Sequence, residues 1–158
     1  MIRSLFNCLM TLAVDSVILC VENPGCEEPM PSPTRILIVD DSSRARASLR
    51  ALLDIYDGDT EIQEASSGVQ ALQCLDEAVP DVVFMDIMME GLDGLETTQA
   101  VKRRVPHIKV VAMSIRCDFQ SAALEAGADA FVCKTDPPRV LLDALARVAG
   151  LREDISSC

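Results

Sequence analysis

Aromatic residues are scarce in this chain: there is no Trp, one Tyr and four Phe. A core must therefore be aliphatic, and a hydrophobic content of 49% over 158 residues is enough for one ordinary domain. Positive charge is also short. Lys and Arg number 14 against 25 Asp and Glu, a formal net charge of −11. A field of that sign repels phosphate backbones, so this chain alone is not expected to bind nucleic acid. It favours solubility and divalent cations. The single histidine, His107, falls in a loop between helix and strand signals, which disfavours a phosphohistidine role. Seven cysteines are present, an odd number, and no pair has the short spacing of a zinc or redox motif. Reduced thiols in a cytoplasmic chain are expected, with Cys74 and Cys133 as small core residues.

The chain divides near Met30. Residues 1–33 form an N-terminal extension with an apolar stretch, Leu5 to Val21, followed by a loop rich in Pro. The stretch reads as a mis-chosen start, a signal or anchor segment, or an extra helix. Asp15 counts against a membrane span, since a central Asp costs about 2.5–3.5 kcal/mol, and no convincing cleavage site follows. Residues 34–150 alternate strand and helix signals, and residues 151–158 are a short tail.

Ile36-Leu37-Ile38-Val39 and Val82-Val83-Phe84-Met85 are unbroken apolar runs rich in β-branched residues, as suits strands buried on both faces. Thr60–Ala65, Ile108–Met113 and Ala130–Cys133 complete five strands. Between them, Ser42 caps a helix bearing Ala45, Leu49, Leu52 and Leu53, and Ser66 caps one bearing Val69, Leu72 and Leu75. Gly91 to Gly94 leads into a helix ending near Arg104. Another runs from about Asp118 to Ala126 and is closed by Gly127. Pro137 opens a last helix whose apolar face is Val140, Ala144, Leu145 and Val148. Such alternation predicts an α/β fold, a five-stranded parallel sheet with helices on both faces.

In parallel sheets, sites form beyond the carboxyl ends of the strands. Four of those ends here carry polar residues: Asp40 and Asp41, Asp86, Ser114, and Lys134. Three carboxylates in one crevice repel one another unless a cation sits among them. An oxygen-only donor set suits a hard ion such as Mg²⁺. Adding an ammonium and a hydroxyl gives the parts of a phosphoryl-transfer site, in which one carboxylate is the nucleophile. Taken singly, each residue has an ordinary reading as a helix cap or turn residue.

The stretches Ile36–Asp41 (ILIVDD), Pro80–Asp86 (PDVVFMD), Gly91–Glu96 (GLDGLE), Val110–Ser114 (VVAMS) and Glu125–Lys134 (EAGADAFVCK) occur in an order and spacing that resembles the response-regulator receiver domains. The resemblance covers about Thr34 to Gly150 and implies a flavodoxin-like sheet flanked by five helices. It implies that Asp86 is the phosphoacceptor. Asp41, Asp40, Asp86 and the backbone carbonyl of Met88 would hold Mg²⁺. Lys134 would pair with a phosphoryl oxygen, Ser114 would be the switch hydroxyl, and Phe131 the aromatic that moves with it. The implied partners are a histidine kinase or histidine phosphotransfer protein, a downstream protein target, and a second copy in a phosphorylation-dependent homodimer. Such a chain catalyses only its own phosphorylation and dephosphorylation and is not otherwise an enzyme. Its character is nearest to receivers of helix-turn-helix regulators, with the output domain lacking, and a stand-alone receiver is expected.

Three positions depart from the family pattern: Thr135 and Glu90 stand where Pro is common, and Ile115 where Ala is common. None removes a reacting group. Two other readings compete. A receiver-like module that binds partners without phosphorylation is disfavoured by the complete residue set. An aspartyl phosphohydrolase needs a second Asp two residues after its nucleophile. After Asp86, Asp40 and Asp41 those positions hold Met88, Ser42 and Ser43.

Overall fold

A computed structural model describes residues 33–55, 60–91 and 93–150. The expectations for residues 1–32 and for the tail at 151–158 lie outside the described residues. The elements alternate as β1 (Thr34–Val39), α1 (Ser43–Ile55), β2 (Thr60–Ala65), α2 (Gly68–Glu77), β3 (Val82–Asp86), α3 (Gly94–Arg104), β4 (Lys109–Ser114), α4 (Gln120–Glu125), β5 (Ala130–Cys133) and α5 (Pro138–Val148). All strand pairs are parallel, in the order β2-β1-β3-β4-β5. The predicted α/β class and five-stranded sheet are those observed. Among the described residues no helix is long and apolar enough to cross a membrane.

Successive strand residues face opposite sides of the sheet, and that alternation builds two aliphatic cores. Leu37, Val39, Val83, Met85, Val110 and Ala112 pack with Ala71, Leu75, Val101 and Ala123 of α2, α3 and α4. Ile36, Ile38, Val82, Phe84, Val111 and Met113 pack with Leu49 and Leu53 of α1 and Leu145 of α5. The unbroken apolar runs thus serve two cores at once. β2 is an edge strand, and its only fully buried residue is Ala65. Glu64 on β2 is tied to α1 by Arg46 (3.1 Å) and Arg50 (2.6 Å).

Several local readings shift by a residue. Ser67, not Ser66, caps α2, accepting from the Gln70 N–H at 3.2 Å. Ser66 instead donates its N–H to the Gln70 side chain. The buried face of α2 is Gly68, Ala71 and Leu75, which leaves Val69 exposed. The helix expected from Asp118 is a 3-10 turn, Cys117–Phe119, followed by the short α4. Gly127 follows it at φ +103°, a conformation that favours glycine. Pro138 rather than Pro137 is the first residue of α5.

The cysteines depart from the reduced thiols expected. Cys117 and Cys133 form a disulfide, with Cα atoms 5.3 Å apart and a sequence separation of 16. Spacing concealed this pair because the β4–α4–β5 crossover brings its members together. Ser114 and Cys133 are register partners, and Cys117 lies just beyond that rung. Cys133 is buried as predicted, and Cys74 is half-buried against the first core as a free thiol.

At the opposite sheet end, Asp129 fastens β5 to its neighbours. It accepts from the Val110 N–H (2.8 Å) and Lys102 Nζ (2.6 Å), with Lys109 Nζ at 3.4 Å. Burial opposes the ionised carboxyl, but these donors outweigh it and hold the carboxyl below its ordinary range. The folded chain therefore binds this proton more weakly than the unfolded chain. The resulting stability is complete above the ordinary Asp range and is lost as pH falls through the lower, folded value. Asp129→Asn is expected to cost about 1–2 kcal/mol at neutral pH, a deficit that shrinks toward pH of about 3. Urea midpoints for both chains across that range check this; a deficit independent of pH would rule out the ionic origin.

Candidate functional site

The strand order reverses between β1 and β3, and a crevice opens there at the carboxyl ends. Asp40 and Asp41 follow β1, and Asp86 ends β3. One carboxyl oxygen from each lies within 4.8 Å of the others. Asp40 and Asp86 are buried, while Asp41 is exposed at the rim. Lys134, directly after β5, reaches both buried carboxylates, with Nζ 2.6 Å from Asp40 Oδ2 and 2.7 Å from Asp86 Oδ2.

The remaining oxygens have backbone donors. Asp40 Oδ1 accepts from the Ser42 N–H (2.8 Å) at the entry to α1, and Asp86 Oδ1 from the Met88 N–H (3.1 Å). Asp41 Oδ2 accepts from the Glu90 N–H (3.2 Å), linking the β1 loop to the β3 loop. Ser114, fully buried at the end of β4, accepts at Oγ from the Arg116 N–H (3.1 Å). Phe131 on β5 is partly buried against the first core. Ile115 is largely exposed.

Electrostatics follow from this packing. Burial raises the Asp86 carboxyl above its ordinary value, and the Lys134 and Met88 donors only partly offset that. Burial alone would depress the Lys134 ammonium, but Asp40 and Asp86 outweigh it and hold the ammonium above its usual value. Three carboxylates and one ammonium leave the crevice short of positive charge. An oxygen-only cluster of this kind fits a hard divalent cation. An adjoining cavity of about 360 Å³ between α1 and α5 is lined mostly by side chains such as Leu49, Leu52, Val132 and Leu141. Asp40 and Lys134 also line it, so this cavity adjoins the carboxylates.

Two supports of the site carry no motif of their own in the sequence. Arg46 donates from Nη1 to the Asp40 backbone carbonyl at 2.7 Å, fixing the turn after β1. Its position four residues after Ser42, on the first turn of α1, was the available signal. Gly94 is the second. Its N–H donates to the Ile87 carbonyl (3.2 Å), and a Cβ there would lie 1.9 Å from the Asp86 carbonyl oxygen and 2.6 Å from Ile87 Cα. Both obstructing atoms are backbone, so α3 or the Asp86 loop must move. Gly94→Ala is expected to cost about 3 kcal/mol, the upper end for overpacking. An unchanged urea midpoint would show that this contact is not needed.

A family model described as "Response regulator receiver domain" matches residues 36–146. The transcriptional activator protein ExaE of Pseudomonas putida is 37% identical over 115 residues, covering 72% of this chain and 54% of that protein. The nitrate/nitrite response regulator protein NarP of Escherichia coli (strain K12) is 32% identical over 120 residues, covering 74% and 55%. The chain spans about half the length of these curated relatives. A crystal structure of a LuxR-family two-component response regulator from Aurantimonas sp. SI85-9A1 superposes with TM-score 0.70 at 28% identity, covering 77% of this chain and 89% of that one. A CheY-like receiver domain protein from Methanospirillum hungatei JF-1, at 24% identity and TM-score 0.69 over 76% and 96%, shares the fold. With the model match running from β1 to α5 and taking in every polar strand end, this chain belongs to the response regulator receiver domains.

Proposed function

We propose that this chain accepts a phosphoryl group on Asp86 from a phosphohistidine of a kinase or phosphotransfer protein and passes the change to a downstream protein. An Asp86 carboxylate oxygen attacks phosphorus, an O–P bond forms, the P–N bond breaks, and the departing imidazole keeps the bond's electron pair and is protonated. Lys134 faces the developing charge and pairs with a phosphoryl oxygen. Asp40, Asp41, Asp86 and the Met88 carbonyl would hold Mg²⁺, which when bound neutralises phosphoryl oxygens. Ser114 releases the Arg116 N–H and turns its hydroxyl to the phosphoryl group, and Phe131 moves inward with it. The modified chain then pairs with a second copy through its later elements. A chain with this task works in the cytoplasm and turns over no external substrate.

The observation that carries this reading is the Lys134 ammonium held against two buried carboxylates beside an exposed third. The test is intact mass after incubation of the chain with acetyl phosphate, with and without Mg²⁺. A gain of one phosphoryl group that needs Mg²⁺ is expected. No gain in folded, Mg²⁺-binding protein with its cysteines reduced would overturn the reading in favour of a module that binds partners unmodified.

A further inference from the structure

Ser114 and Lys134 flank the Cys117–Cys133 disulfide. Lys134 directly follows Cys133, and Ser114 lies three residues before Cys117. Ser114 and Cys133 are also register partners, and the Lys134 N–H donates to the Ser114 carbonyl at 2.7 Å. Only Ile115 and Arg116 span the gap between that rung and the bridge. Arg116 is the residue whose N–H occupies Ser114 Oγ. Its side chain is further engaged by Asp118 (2.6 Å) and by the Phe119 ring, 4.9 Å away. A two-residue span closed at both ends has little room to reorient, so the bridge holds Ser114 Oγ on the Arg116 N–H.

We infer that Cys117–Cys133 is a thiol–disulfide exchange site that gates the receiver: the bridged form resists phosphorylation, and its reduction by a dithiol releases the Ser114 loop. The inference rests on the phosphoryl reading above. Access favours the exchange, because Cys117 lies on an exposed turn while Cys133 is buried. A thiolate attacks Cys117 Sγ, forming a mixed disulfide and breaking the Cys117–Cys133 bond; Cys133 leaves as a thiolate and is protonated. The second thiol of the reductant then displaces Cys117, which is protonated in turn, and the reductant ends as its own disulfide. Two electrons have passed from the dithiol to the chain. In the bridged chain Cys133 Sγ lies 3.1 Å from Thr135 Oγ1 and 3.9 Å from the Ile115 carbonyl oxygen, so acceptors for a released thiol are already at hand. Disulfides in a reducing compartment are mostly transient or redox-sensing, which suits a bridge beside moving residues.

The full chain is oxidised with diamide or reduced with dithiothreitol. Its thiols are counted by alkylation and mass, and the bridged peptide is identified. The rate of phosphoryl gain from phosphoramidate with Mg²⁺ is then measured, beside Cys117→Ser as a control for the other cysteines. Reduced native chain is expected to react at least about fivefold faster than oxidised, the low end of coupling between distinct sites. Cys117→Ser should match the reduced rate under both treatments. Equal native rates, a Cys117→Ser chain that still responds to oxidation, or failure of the bridge to form would each overturn the inference and leave the phosphoryl reading standing. No phosphoryl gain in any form, reduced and Cys117→Ser included, would remove the phosphoryl reading and the gating with it.

Discussion

Asp86→Asn will gain no phosphoryl group from acetyl phosphate at any Mg²⁺ concentration, yet it will remain folded. An amide oxygen is a poor nucleophile, and Asp40 and Asp41 do not replace it if the reaction is confined to the end of β3. The stability of this variant is as informative as its chemistry. Asp86 is 5% exposed and its carboxyl is held above the ordinary range by burial. For an acid raised in the folded state, protons bind more tightly folded than unfolded. The native chain therefore loses stability as pH rises through the folded value, and ionised Asp86 is a burden at neutral pH. Without Mg²⁺, Asp86→Asn should be at least as stable as native in urea, and Mg²⁺ should stabilise it less. A phosphoryl gain that survived the substitution would place the reaction on another residue.

Lys134→Met will lower the rate of phosphorylation by about 10²–10³, the usual cost of removing one donor to developing charge. Met keeps an apolar stem beside the α1–α5 cavity, so the change isolates the ammonium. It leaves Asp40 and Asp86 facing each other without their shared partner. Breaking a buried ion pair costs about 3–5 kcal/mol. Here the loss should be nearer 2–3 kcal/mol, roughly, because a buried carboxyl can take up a proton instead. The same uncompensated charge should make Mg²⁺ bind more tightly. Thermal melts with Mg²⁺ titration and the rate of mass gain read the two effects separately. Tighter Mg²⁺ binding with slower phosphorylation is expected; a proportional loss of both would mean that the site had collapsed.

Much of this arrangement was legible before any coordinates. Apolar runs such as Ile36–Val39 announce strands buried on both faces, and in a parallel sheet their carboxyl ends must converge. Asp40, Asp41, Asp86 and Lys134 are brought together by that geometry, and Ser114 joins the same edge. What escaped depended on register and on close approach. Ser66 and Ser67 are chemically equivalent as caps, and only the start of α2 decides between them. Val69 fits a helical stripe, but the small residues Gly68 and Ala71 lie against the sheet, which turns Val69 outward. Gly94 reads only as the end of the loop that leads into α3, since nothing local signals a backbone carbonyl pressed against it. The Cys117–Cys133 pair follows from the β4–β5 register, which spacing along the chain does not reveal.

The Lys134 contacts have a further consequence when the crevice is regarded as a small capacitor. With all three aspartates ionised and one ammonium between them, two negative charges stay unbalanced. One divalent cation brings the region to neutrality, and a monovalent cation cannot. Converting the Asp86 carboxylate to an acyl phosphate then adds negative charge that neither Lys134 nor that cation has left to cancel. The modified crevice is under-compensated again, by an amount that a hydroxyl or amide dipole can partly relieve. A buried hydroxyl at this sheet edge, that of Ser114, is engaged as an acceptor by the Arg116 N–H. Under the proposed function, electroneutrality is the force that would draw that hydroxyl toward Asp86.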